Sequence, residues 1–157
     1  MLPSGSRGTS AVVAVALLSL VTVLAAGAVG TLAVGIAPDG APPRVVLSAS
    51  ADAGADRVAL THRSGEPLDV SRLRLVVHVG GRRLAHQPPV PFFAARGFES
   101  GPTGPFNVAT GGAWRVGETA TFRLASTNSP QLSPGVRVRV DVYRGRYRLA
   151  SVTTRAD

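Results

Sequence analysis

The chain has 157 residues, with 17 arginines against 9 carboxylates and a formal net charge of +8. It contains no cysteine, which excludes a disulfide framework, a zinc–thiolate site and a thiol nucleophile. Beyond an apolar N-terminal stretch about 120 residues remain, enough to bury the core of one compact domain and too few for two ordinary ones.

The N-terminal stretch carries no charged residue from Gly8 to Pro38. A helix over Thr9–Ile36 would be about 42 Å long at the usual rise, longer than a hydrocarbon core of roughly 30 Å. This predicts a membrane-spanning helix at 9–36. A removable secretory signal is an alternative, because VLAAGAVG (residues 23–30) offers small residues for cleavage, and a plain single-pass anchor is another.

Arg7 and Gly8 directly precede the apolar run, which continues as TSAVVAVALLSLVTVLAAGAVG. This N-terminus resembles that of archaeal type IV pilins and pilin-like proteins. In that family a prepilin peptidase removes a short leader ending in a basic residue and glycine, and the apolar helix stays on the mature chain. The resemblance implies a leader at 1–8, a cleavage site formed by Arg7, Gly8 and Thr9, and Thr9 as the new N-terminus.

Small residues are dense in the second half of the apolar run, and Ala26 and Gly30 have the small-xxx-small spacing. Small residues let helix backbones approach closely. We therefore expect Ala26 and Gly30 to mark the face on which the helix packs against other subunits in a filament. Three prolines and a glycine in residues 37–43 then predict a hinge that ends the helix.

The remaining segment, 44–157, is predicted to be an all-β, sandwich-like domain. Short runs rich in Val, Leu and Thr alternate with Gly, Pro, Ser or Asp at sandwich-like intervals. The predicted strands are Arg44–Ala51, Asp56–His62, Arg72–Val79, Arg82–Gln87, Glu118–Ala125, Val136–Tyr143 and Tyr147–Thr154.

Two of these strands form the clearest predicted hairpin. Val136, Val138, Val140 and Val142 fall on one face of a strand with period two, and Arg137, Arg139 and Asp141 fall on the other. Arg144 and Gly145 are predicted to form its turn. In the second strand Tyr147, Leu149 and Ser151 are predicted to alternate with Arg148 and Ala150.

The β segment also resembles the pilin-like family in two short elements. One is a strand-His-x-x-Gly-turn-strand unit, and the other is a Trp-x-x-Gly-Glu element. The matching residues are His62, Gly65, Leu68 and Leu73 in the first, and Trp114, Gly117 and Glu118 in the second.

We find no pattern of an enzyme, a metal site or a cofactor site. His62, His78 and His86 lack the short spacing of a helical metal site. Ser64 lacks the Gly-x-Ser-x-Gly context of a nucleophile, and the glycine-rich turns lack the ending of a phosphate loop.

The predicted hairpin carries a cluster of basic residues with Tyr143 and Tyr147 between them. Such a cluster could bind phosphates or anionic glycans, with bases stacking on the rings. The alternative is a solvated strand face on which arginine discourages misassociation. The candidate anion-binding residues are Arg137, Arg139, Arg144, Arg146 and Arg148.

The resemblance implies a structural subunit, major or minor, of an archaeal type IV pilus-like filament that serves adhesion or surface association. Its partners would be the prepilin peptidase, other pilin subunits with their assembly platform, the membrane and surface polyanions. It would sit in the cell membrane as a single-pass protein with an extracellular C-terminal head, and enter a surface filament after assembly. The rival hypothesis is a non-assembling single-pass surface protein whose β head binds a ligand or partner.

Overall fold

The structure is a computed structural model that describes residues 12–19 and 43–157. Residues 12–19 are α-helical and exposed. No helix within these described ranges is long and apolar enough to cross a membrane. The predicted leader, the rest of the predicted helix and nearly all of the hinge lie outside the described residues.

Residues 42–157 form a compact unit by themselves, called the head below. Its described part contains strands and short 3₁₀ turns. The strands are β1 (Val45–Asp52), β2 (Arg57–Gly65), β3 (Leu68–Asp69), β4 (Leu73–Val79), β5 (Arg82–Arg83), β6 (Ala113–Trp114), β7 (Thr119–Arg123), β8 (Arg137–Arg144) and β9 (Tyr147–Arg155). The 3₁₀ turns are Val70–Arg72, Gly104–Phe106 and Val108–Thr110.

The strands form two larger antiparallel sheets and one small one. The first has the order β1-β2-β7, the second β5-β4-β8-β9, and β3 pairs with β6. A parallel bridge between Ala51 and Ala156 joins the two larger sheets where β1 and β9 end. The prediction of a β-rich domain is confirmed.

The core lies between the inner faces of the two larger sheets. Val58, Leu60 and Phe122 reach it from the three-stranded sheet, and Val77 and Val140 reach it from the four-stranded sheet, all almost completely buried. Each such side chain contributes roughly 1.5–3 kcal/mol by leaving water. The alternation predicted for β8 is confirmed by the burial of Val138, Val140 and Val142.

Residues 84–112 form a long segment of the head with little regular structure. Two side-chain amides hold it, Asn128 from the loop between β7 and β8 and Gln87 against β4. Asn128 is buried and bonds with both its oxygen and its nitrogen: its Oδ1 accepts from the backbone N–H groups of His86 and Ser129, and its Nδ2 donates to the carbonyls of His86 and Gly97. Gln87 pairs with both backbone groups of Val77 on the edge of β4.

Gly97 is required at this attachment. It has φ +84°, a left-handed conformation, and a Cβ there would lie 2.8 Å from His86 Cβ and 2.9 Å from Asn128 Nδ2. Only glycine combines that backbone conformation with so close an approach.

Two strand predictions need correction. The predicted strand Arg82–Gln87 is paired only at Arg82–Arg83, because the chain then leaves the sheet and Gln87 bonds to β4 through its side chain. The short strands β3 and β6 were missed, since two-residue strands leave no periodic signal.

The predicted hairpin of β8 and β9 is present, with two differences. The turn residues are Gly145 and Arg146 instead of Arg144 and Gly145, since Arg144 still pairs with Tyr147. Val142 lies opposite Ala150 and Tyr143 lies opposite Arg148, so Leu149 forms a bulge. The bulge breaks the predicted alternation of Tyr147, Leu149 and Ser151, because one extra residue exchanges the two faces of a strand.

Candidate functional site

The residues predicted for processing and assembly lie outside the described part of the chain. These are Arg7, Gly8 and Thr9 at the cleavage site, and Ala26 and Gly30 on the helix. The candidate sites that the structure describes are therefore all in the head.

The two short elements that resemble the pilin-like family meet in the interior of the head. The rings of His62 and Trp114 lie 5.9 Å apart, both fully buried. Trp114 Nε1 donates to the carbonyl of Glu118 at 3.0 Å, the same carbonyl accepts from the His62 backbone N–H, and Gly117 N–H donates to the His62 carbonyl. These residues join β2 to the turn before β7, which is a structural role.

His62 is an unusual core residue because neither of its ring nitrogens has a hydrogen-bond partner among the described residues. A buried polar group without a partner costs about 1–3 kcal/mol. The ring is enclosed by the core and packs on an indole, so it offers no group to a ligand from solvent.

The structure separates the five arginines of the candidate anion-binding patch. Arg137, Arg139 and Arg148 lie on the outward face of the four-stranded sheet, opposite to Val138, Val140 and Val142. Arg144 pairs with Tyr147 and, like its neighbour Leu73 on β4, falls on the other face. Arg146 lies in the turn.

Strand pairing adds further arginines to the outward face. Residues directly opposite in antiparallel strands project from the same face of a sheet. Arg74 on β4 lies opposite Tyr143 on β8, and Tyr143 lies opposite Arg148 on β9. Arg83 on β5 lies opposite His78 on β4, and His78 lies opposite Arg139 on β8. Arg137 on β8 lies opposite Arg155 on β9. We call the resulting surface the basic face, and its six exposed arginines are Arg74, Arg83, Arg137, Arg139, Arg148 and Arg155.

A carboxylate is buried in the middle of the basic face. Asp141 is 3% exposed, and its Oδ2 lies 3.3 Å from Arg139 Nε and 3.8 Å from His78 Nδ1. Its Oδ1 is buried without a hydrogen-bond partner in the described part of the chain. Asp141 therefore neutralises part of the charge of Arg139 and fixes where that side chain lies.

His78 is held in its neutral form by this setting. Partial burial lowers its pKa below the ordinary value, and the guanidinium of Arg139 lowers it further. Asp141 acts in the opposite direction, and Arg83 adds to the lowering. At neutral pH the charge of the basic face therefore comes from its arginines.

Both tyrosines of the hairpin are covered by guanidinium groups. Arg74 Cζ lies 4.4 Å from the centre of the Tyr143 ring, and Arg146 Cζ lies 5.2 Å from that of Tyr147. Arg146 also donates to the Tyr147 hydroxyl. A guanidinium therefore lies against each ring, and the stacking of bases on these rings stays a prediction from the sequence.

The head also has an open cleft of about 610 Å³ beside β3 and β6, lined mainly by prolines, glycines and Val108. Its polar side chains engage each other, since the Ser71 hydroxyl donates to Asp69 Oδ1 at 2.6 Å. This hydrogen bond lowers the pKa of Asp69 below its ordinary value. The pair is an N-terminal cap of a 3₁₀ turn and provides no activated nucleophile.

The other residues considered for chemistry lie apart. Ser64 is exposed near the end of β2, and His86 is attached through its backbone to Asn128. Residues 12–19 and 43–157 contain no group of three or more metal-ligating side chains.

No protein-family model matches this sequence, and no curated protein is significantly similar to it.

Proposed function

We propose that this protein is a structural subunit, major or minor, of an archaeal type IV pilus-like filament that serves adhesion or surface association. A prepilin peptidase cuts the leader between Gly8 and Thr9. The apolar segment 9–36 first anchors the protein in the cell membrane as a single-pass helix. After extraction it packs against the helices of other pilin subunits, with Ala26 and Gly30 at the contact, and the β head faces the outside.

The observation that carries this proposal is the order of the two parts along the chain. An uncharged run from Gly8 to Pro38, directly preceded by Arg7, leads into a head that has its own core. A β head that is compact by itself suits a subunit whose apolar helix must move from lipid into a filament. The His62 and Trp114 elements, which both resemble the pilin-like family, contact each other in the head, and this adds support for the proposal.

The proposed role is non-enzymatic. His62 packs in the core, His78 belongs to an ion cluster on the basic face, and the hydroxyl of Ser71 is engaged with Asp69. A structural role also suits a head in which the side-chain amides of Asn128 and Gln87 hold a long loop segment in place.

Processing tests the proposal directly. The full chain, produced in a host that has a prepilin peptidase, should lose residues 1–8 and begin at Thr9, as read from intact mass and N-terminal sequencing. Gly8→Leu should block this cleavage, since the leader that the chain resembles ends in glycine and leucine is much bulkier. Gly5→Leu is the matched control in the same leader and should be processed normally. A mature chain that begins near Ala28 would make the protein a secreted one and end the proposal.

The second candidate is a non-assembling surface protein that keeps its anchor and binds a partner through the head. The basic face favours it, because six arginines lie on one surface. This protein would keep Met1 or Leu2 at its N-terminus, so the same measurement separates the two candidates.

A further inference from the structure

We infer that the basic face of the four-stranded sheet binds an anionic polysaccharide, a chain of carboxylated or sulfated sugars. This face is part of the head alone, and it exists whether or not the chain assembles into a filament.

The first argument is the concentration of charge. Strands lie about 4.8 Å apart and alternate residues of one strand about 6.7 Å apart, so the six arginines occupy a continuous surface. Asp141 is the only acidic residue within β4, β5, β8 and β9, and it is buried and paired with Arg139. The face therefore attracts anions without competing carboxylates at its surface.

The second argument is the chemistry of the side chains. Guanidinium groups match carboxylates and sulfates in planar, bidentate geometry. Ser151 and Thr153 lie on the same face of β9, opposite Asp141 and Arg139, and both are exposed. Their hydroxyls offer neutral hydrogen bonds between the charges. A polysaccharide carries hydroxyls between its anionic groups in the same way.

A third argument separates polysaccharides from single-stranded nucleic acids. Proteins that bind single strands combine charge with aromatic rings on which the bases stack. Tyr143 is the tyrosine of this face, and its ring is covered by Arg74. Tyr147 lies opposite Arg144 on the other face of the sheet, with its ring against Arg146. The basic face therefore offers charge and hydrogen bonds without a stacking surface.

A fourth argument separates polysaccharides from membranes. Surfaces that lie on a bilayer usually insert apolar side chains between the headgroups. On the basic face Val76 is only 7% exposed, and Tyr143 is half-buried beneath a guanidinium. The described face has no apolar side chain that projects from it.

Asp141 positions the side chain of Arg139 at the centre of the basic face. Its buried carboxylate holds Arg139 at 3.3 Å, and the Arg139 guanidinium lies 3.4 Å from the His78 ring nitrogens. A charged side chain that is already ordered loses less entropy when a ligand binds. The central arginine is therefore ready for an anion before one arrives.

Binding to immobilised polysaccharides tests the inference. The full chain, kept in a neutral detergent, is titrated against heparin as a sulfated chain, polygalacturonate as a carboxylated chain and dextran as a neutral chain. The face variant is R83Q/R137Q/R148Q, whose side chains make no described ion pair. The matched control is R63Q/R96Q/R115Q, which removes the same charge from exposed positions outside the four strands.

We expect the unaltered chain to bind heparin or polygalacturonate, and not dextran, with an affinity that falls as salt rises. The face variant should bind roughly tenfold more weakly, as expected for three exposed charge contacts. The control should keep its affinity. Retained native circular dichroism in both variants shows that the fold is intact.

Three results would overturn the inference. The first is equal loss in the control variant, which would mean that net charge alone attracts the polymer. The second is tighter binding of a single- or double-stranded oligonucleotide than of either polysaccharide at the same salt. The third is tighter binding to vesicles that contain anionic lipid.

Discussion

His62 and His78 lie on central strands of the two larger sheets, and the two regions around them differ in kind. His62 points into the core, packs against Trp114 and makes no hydrogen bond through its ring in the described chain. His78 points outward among Arg83, Arg139 and Asp141. The interior fixes its residues by packing, whereas the outer face collects charges that packing does not require. A binding function of the head is therefore to be sought on the outer face.

The largest effect is expected in the interior. Trp114→Ala should destabilise the head by about 3–5 kcal/mol, because the indole packs against His62 and Phe106 and its loss leaves a cavity. Urea unfolding followed by circular dichroism measures the change. Val116→Ala, at an exposed position two residues away, is the control and should change stability little. A small effect of Trp114→Ala would mean that the junction is not part of the cooperative core.

The next effect concerns the attachment of residues 84–112. Asn128→Ala should cost about 2–3 kcal/mol, since buried backbone groups of His86 and Gly97 lose their partner. Limited proteolysis should then cut within 84–112 more rapidly than in the unaltered chain. Ser126→Ala, exposed in the same loop, provides the comparison. Unchanged proteolysis would show that other contacts hold the segment.

His62→Leu should change stability in the opposite direction. Leucine keeps an apolar contact with Trp114 and removes two ring nitrogens that have no partner, so we expect unchanged or higher stability, by up to about 1 kcal/mol. Thermal unfolding is the measurement. A loss of stability above about 2 kcal/mol would show that the His62 ring makes a hydrogen bond that the structure does not contain. His62 would then stabilise the head through its polar atoms, as Asn128 does.

The smallest effect belongs to the outer face and depends on pH. The folded head resists protonation of His78, because its pKa is lowered, while the unfolded chain takes up the proton near pH 6.5. The unfolded state thus binds more protons. The contribution of His78 to the free energy of unfolding is therefore fully present above pH 6.5 and is lost as the pH falls below it. His78→Gln should flatten the pH dependence of urea unfolding between pH 7.5 and 5. His62 and His86 are unchanged in that variant, so an identical slope would refute the assignment to His78.

The sequence predicted the β-rich head because alternation marks strands that have one buried face. Val138, Val140 and Val142 alternate with Arg137 and Arg139, and the structure buries the valines. The bulge at Leu149 could not be predicted, since a single inserted residue depends on how β9 pairs with β8. Side-chain bonds such as those of Asn128 and Gln87 also leave no periodic signal.

The candidate site was predicted only in part, for the same reason. Arg137, Arg139 and Arg148 are close in sequence, so their pattern is visible along the chain. Arg74 and Arg83 join them through the pairing of β4 with β8 and β5, across more than fifty residues. Closeness in sequence also grouped Arg144 with the others, although its pairing with Leu73 on β4 places it on the opposite face.

The proposal that the mature chain assembles into a surface filament is best tested by mass spectrometry of filaments sheared from cells that produce the protein. We expect the chain in the filament fraction in the form that begins at Thr9, and we expect Gly30→Leu to be lost from that fraction while membrane insertion is retained. Recovery of the chain only in the membrane fraction, with Met1 or Leu2 still at its N-terminus, would contradict it.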